Sequence, residues 1–426
     1  MKFFKKILFV ILIVSVFVVT RLLIQDVKPL FKNLVNETIA NPLDKDFLTE
    51  EFEGLTIRYE KDDYATVETI KTLYPDAKEE LDKLYGSHSD ELTIVVYAKL
   101  EDFNAASDSE ILGGYYTPIN DSIHLKSEEV VGDFELEDTF FHEYAHYRTN
   151  RYIDEHGILE EDLPQWFNEG ISEVIAKKNT SVDKDSLETI DFKELDSNTL
   201  FLKGRQGNID PYLQSYFTVN ELVHQFGPEI VPKVLLALKD SDIYKALDDL
   251  TGTSSEELLS NSLDRSEQIN DLLEKASEYA VNGAYKETTN IYQEILRIEP
   301  NNYIANTSLS HFLVKQYKFT DAVSQLTNME VLESFDLQLL AELSLLSDLN
   351  DSLKYMEMSE EKNKTKFTDN SSTSPFVDAI RNNIDDPVSA YLQLFKENLI
   401  TYKEIESQVK VNLKKMYPDD SRVQNL

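Results

Sequence analysis

The stretch "FFHEYAHYRTNRY", residues 140–152, carries two of the chain's seven histidines, four positions apart, with a glutamate directly after the first. It lies in a segment whose apolar and aromatic residues recur at helical spacing, predicting a helix over about 135–151. Four residues of helix rise about 6 Å and turn about 40° past one revolution. His142 and His146 therefore share a face, and two imidazole nitrogens can converge on one cation at about 2.0–2.1 Å. Glu143 is rotated about 100° from His142. That is a poor direction for a third ligand, but it suits a base acting on water in an open coordination position.

An HExxH match alone is a weak signal, so the following helix carries the weight. A catalytic zinc site takes three protein ligands and keeps one position open. The segment "LPQWFNEGISEVIAKK" (163–178) reads as a second helix, with Pro164 suited to its first turn. It offers Glu169, 23 residues after His146, as the third ligand. Glu173 lies one turn further along the same face. It is suited to accept a hydrogen bond from the far nitrogen of a ligand histidine and fix its tautomer. Trp166, the only tryptophan, sits one turn before Glu169 and is expected to wall the site. "PYLQSYFTVNELVHQFG" (211–227) predicts a third helix, stopped by Gly227-Pro228.

Ahead of these helices the pattern changes. "LTIRYE" (55–60) and "ELTIVVYA" (91–98) read as strands, with a helix between them that ends on Gly86. "GGYYTPINDSIHLKS" (113–127) reads as a hairpin turning at Pro118-Ile119-Asn120-Asp121. Strands around a helix, followed by helices, predict an α+β domain. Gly113, Gly114 and Tyr115 form an arm suited to an edge strand that offers backbone hydrogen bonds to an extended peptide. His88, His124, His156 and His311 have no ligand partner at useful spacing and read as solvent-facing or structural.

HEYAH followed by "PQWFNEG" resembles the gluzincin zinc peptidases, the thermolysin-like clan. The resemblance implies zinc held by His142, His146 and Glu169, Glu143 as general base, and Glu173 as the acid supporting a ligand histidine. The order of elements over 55–262 is similar to bacterial peptidase MA-like domains, with Ser172 in place of their usual alanine. "HEYAHYRTNRY" is also locally similar to the zinc helix of bacterial collagenases, whose substrate is not carried over. The implied reaction is hydrolysis of a protein or peptide substrate. A further hydrogen-bond donor for the oxyanion is expected from Tyr212, by likeness to the Tyr-bearing helix start of peptidase MA-like domains. Tyr216 and His224 are its rivals.

A different texture begins near residue 268. Ala276, Tyr279, Tyr285 and Tyr292, followed by Pro300, recur when shifted by 34 at Ser310, Leu313, Phe319 and Leu326, with Ala322 between the last two. This resembles tetratricopeptide (TPR) repeats and implies a surface for a protein partner. A weaker third copy spans about 337–361. A polar linker is expected over 360–376, then two helices at about 376–395 and 400–415.

Composition sets the outer limits. The 426 residues carry a net charge of −36, against nucleic-acid binding, which needs surplus Lys and Arg. There is no cysteine, so a metal site must use His, Asp and Glu. Lys2, Lys5 and Lys6 precede the apolar run Ile7–Val19. This predicts an N-terminal transmembrane helix with the remaining chain extracytoplasmic, or a cleaved signal and secretion. The expected divisions are an anchor over 1–26, a polar stalk over 27–50, a zinc metallopeptidase domain over 51–262 and a TPR-like domain over 265–426. The alternative is an inactive scaffold whose repeats bind a partner.

Overall fold

The computed structural model describes residues 47–426, apart from 62, 108–111, 129, 131–135, 177–186, 330–331, 367–373 and 425. The expected anchor (1–26), most of the stalk and the middle of the 360–376 linker lie outside the described residues. Among the described residues no helix is long and apolar enough to cross a membrane. They fall into two compact units, α+β and all-α, that divide between Leu263 and Asp264.

The first unit is built on a five-stranded mixed sheet of order β1-β2-β3-β5-β4. Its strands are β1 (Leu48–Phe52), β2 (Leu55–Tyr59), β3 (Leu92–Tyr97), β4 (Gly114–Thr117) and β5 (Ser122–Lys126). Strand β1 departs from the sequence expectation: its first three residues, Leu48, Thr49 and Glu50, fall at the end of the stretch expected as stalk. It is an edge strand with mostly exposed side chains, so its composition mimics a polar linker. In β2 the alternation works as expected, with Leu55, Ile57 and Tyr59 buried and Thr56 and Arg58 less so.

Strands β2, β3 and β5 run parallel and β4 returns antiparallel to β5. Helix α1 (Tyr64–Tyr85) makes the crossover from β2 to β3. One face of the sheet (Ile57, Ile94, Val96, Ile123, Leu125) packs on Val67, Ile70 and Tyr74 of α1 and on Phe140 and Tyr144 of helix α3 (Leu136–His156). A short helix, α2 (Leu100–Ser107), lies with Phe103 against Val95 and Tyr97 on the opposite face. Helices α4 (Gln165–Ala176), α5 (Pro211–Phe226), α6 (Ile230–Ala237) and α7 (Ile243–Thr251) follow. Among the described residues after β5, only the isolated bridge Gln206–Ile209 departs from helix and loop.

Helix α8 (Ser255–Val281) runs through the division. The second unit continues with α9 (Tyr285–Ile298), α10 (Tyr303–Lys315), α11 (Phe319–Thr327), α12 (Ser334–Ser344), α13 (Leu349–Lys366), α14 (Pro375–Arg381), α15 (Pro387–Lys396) and α16 (Lys403–Met416). Its core gathers Leu309, Leu313, Leu340, Leu343, Phe376, Tyr391 and Leu413 from successive helices. The single helix expected over 376–395 is two. Pro387 occupies the first turn of α15 and the Asp386 side chain accepts the Ser389 amide, which starts a new helix there. Helix α13 also runs to Lys366, into the expected linker.

Candidate metal centre

Helix α3 is the centre of the first unit, with 14 of its 21 residues buried. Its front carries His142 and His146; α4 brings Glu169 against them. His142 Nε2 lies 3.1 Å from His146 Nε2 and 3.1 Å from Glu169 Oε2. His146 Nε2 lies 3.3 Å from the same oxygen. These three atoms form a nearly equilateral triangle. Tetrahedral zinc with bonds of about 2.0–2.1 Å sets its ligand atoms about 3.3–3.4 Å apart. Two imidazole nitrogens and one carboxylate oxygen at this separation lie close enough to hold one metal ion. Among the described residues, no other group of His, Asp or Glu is gathered closely enough to hold a metal.

The far side of His142 is fixed as well. Its Nδ1 lies 3.3 Å from Glu173 Oε1, one helical turn beyond Glu169. Donation from Nδ1 leaves the Nε2 lone pair for a cation. Burial opposes a charge on His142, yet Glu169 and Glu173 outweigh it and raise its pKa well above the ordinary histidine range. Burial would likewise raise the pKa of Glu169, but the two histidines hold it far below the usual carboxylate range. The pocket thus concentrates negative charge where a cation would sit.

Two packing features hold the triangle. At Gly170, directly after Glu169, an added Cβ would lie 2.5 Å from Val219 Cγ2 and 2.7 Å from Ser215 O. Only glycine lets α4 cross α5 this closely. Behind α3, on the side away from the histidines, Arg148 is almost fully buried. Its guanidinium donates to Asp82 Oδ1 at 2.7 Å and to Gly86 O at 2.9 Å. Tyr144 and Tyr74 both donate to the buried carboxylate of Asp90. These bonds tie the helix to α1 and to the loop before β3. A buried network has discrete hydrogen-bond partners, so it resists sliding or rotation of the helix more than apolar packing does.

Glu143 is buried beside the triangle. Burial raises its pKa, while the neighbouring histidines and the backbone amide of Tyr116 on β4 pull the other way. The strand that carries this amide is the sheet's edge.

Comparison with known proteins adds one relative. The chain is similar to an uncharacterized protein, YhcO, of Bacillus subtilis (strain 168), at 25% identity over 182 residues. That stretch covers 39% of this chain and 56% of the relative, so the match spans about half of the relative's length. No family model matches the chain, and no solved structure matches it.

The remaining candidates have varied positions. Tyr212, in the first turn of α5, stands with its ring 6.4 Å from that of His142 and edge-on to Phe201 at 5.1 Å. Burial and the carboxylates of Glu169 and Glu143 raise the pKa of its phenol, which stays protonated and able to donate. Tyr216 is buried against Phe217, and His224 is exposed in the last turn of the same helix. Trp166 is fully buried and packs on Phe167 and Phe192 at 5.4 and 4.8 Å, supporting the start of α4 from the interior. Gly113 and Gly114 are buried. A Cβ on Gly114 would lie 2.8 Å from Thr139 Cγ2, so its close approach is to the first turn of α3. Tyr115 stacks on His124 with centroids 4.4 Å apart. His124 bridges Tyr97 Oη at 2.9 Å and Ser122 Oγ at 2.8 Å. His88 pairs with Glu155, His156 with the carbonyl of Tyr152, and His311 with Tyr402.

Sequence reasoning missed three contributors: the Tyr116 amide, the Arg148 network and Gln165. The first two depend on contacts between distant segments. Gln165 sits four residues before Glu169, a spacing that was readable as a helix-face pair.

Proposed function

We propose that the first unit is a zinc-dependent peptide hydrolase, with His142, His146 and Glu169 as ligands and Glu143 as general base. The observation that carries this reading is the 3.1–3.3 Å triangle of two imidazole nitrogens and one carboxylate oxygen, with a second buried carboxylate, Glu143, on the same helix. Zinc held there supplies Lewis-acid activation of water and of the scissile carbonyl. The chain's own groups do the rest. Glu143, made more basic by burial and braced by the Tyr116 amide, takes the proton from the attacking water and passes it to the leaving nitrogen. The protonated phenol of Tyr212 donates to the carbonyl oxygen as negative charge builds on it. Edge strand β4 offers backbone groups to an extended substrate.

Two imidazoles and a carboxylate in contact, with Glu143 and Glu173 also buried around them, favour this reading over an inactive scaffold, because a scaffold has no use for several buried carboxylates beside two imidazoles. The lysine-flanked run Ile7–Val19 supports an extracytoplasmic site of action, and the helical second unit supports a TPR-like surface for a protein partner. The deciding experiment is Glu143→Gln. It should retain stoichiometric zinc while peptide cleavage falls by about 10²–10⁴-fold. Cleavage at the parent rate would remove Glu143 as the base, and parent protein that binds no zinc would remove the hydrolase.

A further inference from the structure

The two oxygens of Glu169 have different partners. Oε2 faces the histidine nitrogens at 3.1 and 3.3 Å. Oε1 accepts the side-chain amide of Gln165 at 2.6 Å. Gln165 opens α4, one turn before Glu169, and the start of that helix is anchored. The Gln165 amide donates to Asp196 O and the Trp166 amide to Leu195 O, each at 3.1 Å. The side-chain nitrogen must face the carboxylate, because an oxygen there would put two acceptors in contact.

We propose that Gln165 is a positioning residue that reserves Oε1 of Glu169, so that the carboxylate offers a cation one oxygen and not two. The proposal rests on the zinc reading of this site. A carboxylate that chelates through both oxygens fills the coordination position that the attacking water needs. A hydrogen bond to a charged acceptor is among the stronger ones in a protein. Freeing Oε1 means breaking it, which opposes chelation. Helix capping does not explain the contact. Capping satisfies the orphan backbone N–H groups through a side-chain acceptor, whereas Gln165 uses its donor, on a carboxylate inside the site. A neutral amide also suits the role: lysine would compete with the metal for Glu169, and glutamate would repel it.

The test is to load the protein with Co²⁺ in place of zinc and record its visible absorption, whose intensity falls as coordination rises from four to five or six. Gln165→Leu and Gln165→Ala are compared with the parent, with thermal melts confirming equal folding. The expected result is metal retained in both variants, a weaker visible band and peptide cleavage reduced about 10–100-fold, the usual range for an outer partner of a ligand. Spectra superimposable on the parent's, with an unchanged cleavage rate, would overturn the role of Gln165 and leave the zinc site standing. Parent protein that takes up no cobalt or zinc would overturn the site itself and this proposal with it.

Discussion

Gly170→Ala isolates the contact that aims Glu169 at the histidines. The new methyl would start 2.5 Å from Val219 Cγ2 and 2.7 Å from Ser215 O. Carbon atoms rest about 3.5–4.0 Å apart, so α4 and α5 must separate by about 1 Å locally. Zinc–oxygen bonds of about 2.0–2.2 Å leave no room for that displacement one residue away. Overpacking costs about 1–3 kcal/mol, and alanine recovers about 1 kcal/mol of helix propensity over glycine. The net loss of about 0–2 kcal/mol leaves the protein folded. Zinc affinity should fall by at least the 10–100-fold seen when an outer partner is removed, since here a ligand itself moves. A chelator competition assay measures the affinity and a metal-free thermal melt measures the fold. Unchanged affinity with an unchanged melt would refute the claim that the α4–α5 crossing sets Glu169.

Three further outcomes follow from the same packing. Arg148→Met removes the guanidinium bonds to Asp82 and to Gly86 O, leaving Asp82 its Lys78 ion pair and Tyr144 its bond to Asp90, and should cost about 1–3 kcal/mol in denaturant unfolding; a loss below about 0.5 kcal/mol would mean that the network is slack. Tyr212→Phe should bind zinc normally and lose about 10²–10³-fold in turnover number, and an unchanged rate removes Tyr212 from the reaction. Burial pushes the His124 pKa down to about 4 from 6.5. The unfolded ring takes up a proton near pH 6.5 and the folded ring only near 4, so His124's contribution is complete above that window. As pH falls through it, up to about 3 kcal/mol is lost. The melting temperature of His124→Gln should therefore decline less between these pH values than that of the parent, and parallel curves would contradict a neutral, half-buried ring.

The parts of the fold that were legible share a short range. Burial alternation in β2, the helices at 64–85, 136–156 and 211–226, and the hairpin at 113–127 all follow periodicities of a few residues. The misreadings have equally specific causes. Strand β1 is an exposed edge whose pairing with β2 supplies the reason for its extension. Helix α2 presents only Phe103 as a fully buried side chain, too little for a periodic signal. The break between α14 and α15 lies in Asp386 and Pro387, whose capping role the apolar pattern on either side obscured.

The same contrast runs through the candidate site. His142 and His146 meet on one face because 3.6 residues per turn is a property of any α-helix, so their pairing was written in four letters of spacing. Glu169 and Glu173 were nominated the same way, one helical turn apart. Which oxygen of Glu169 faces the histidines, which amide holds the other, and why α4 lies close enough for either are matters of contact between segments far apart in the chain. Gly170 against Val219, the Tyr116 amide on Glu143 and Arg148 beneath the helix that carries both histidines belong to that class. Local periodicity carries no information about such contacts, because they arise only when helices and sheet close over a shared core.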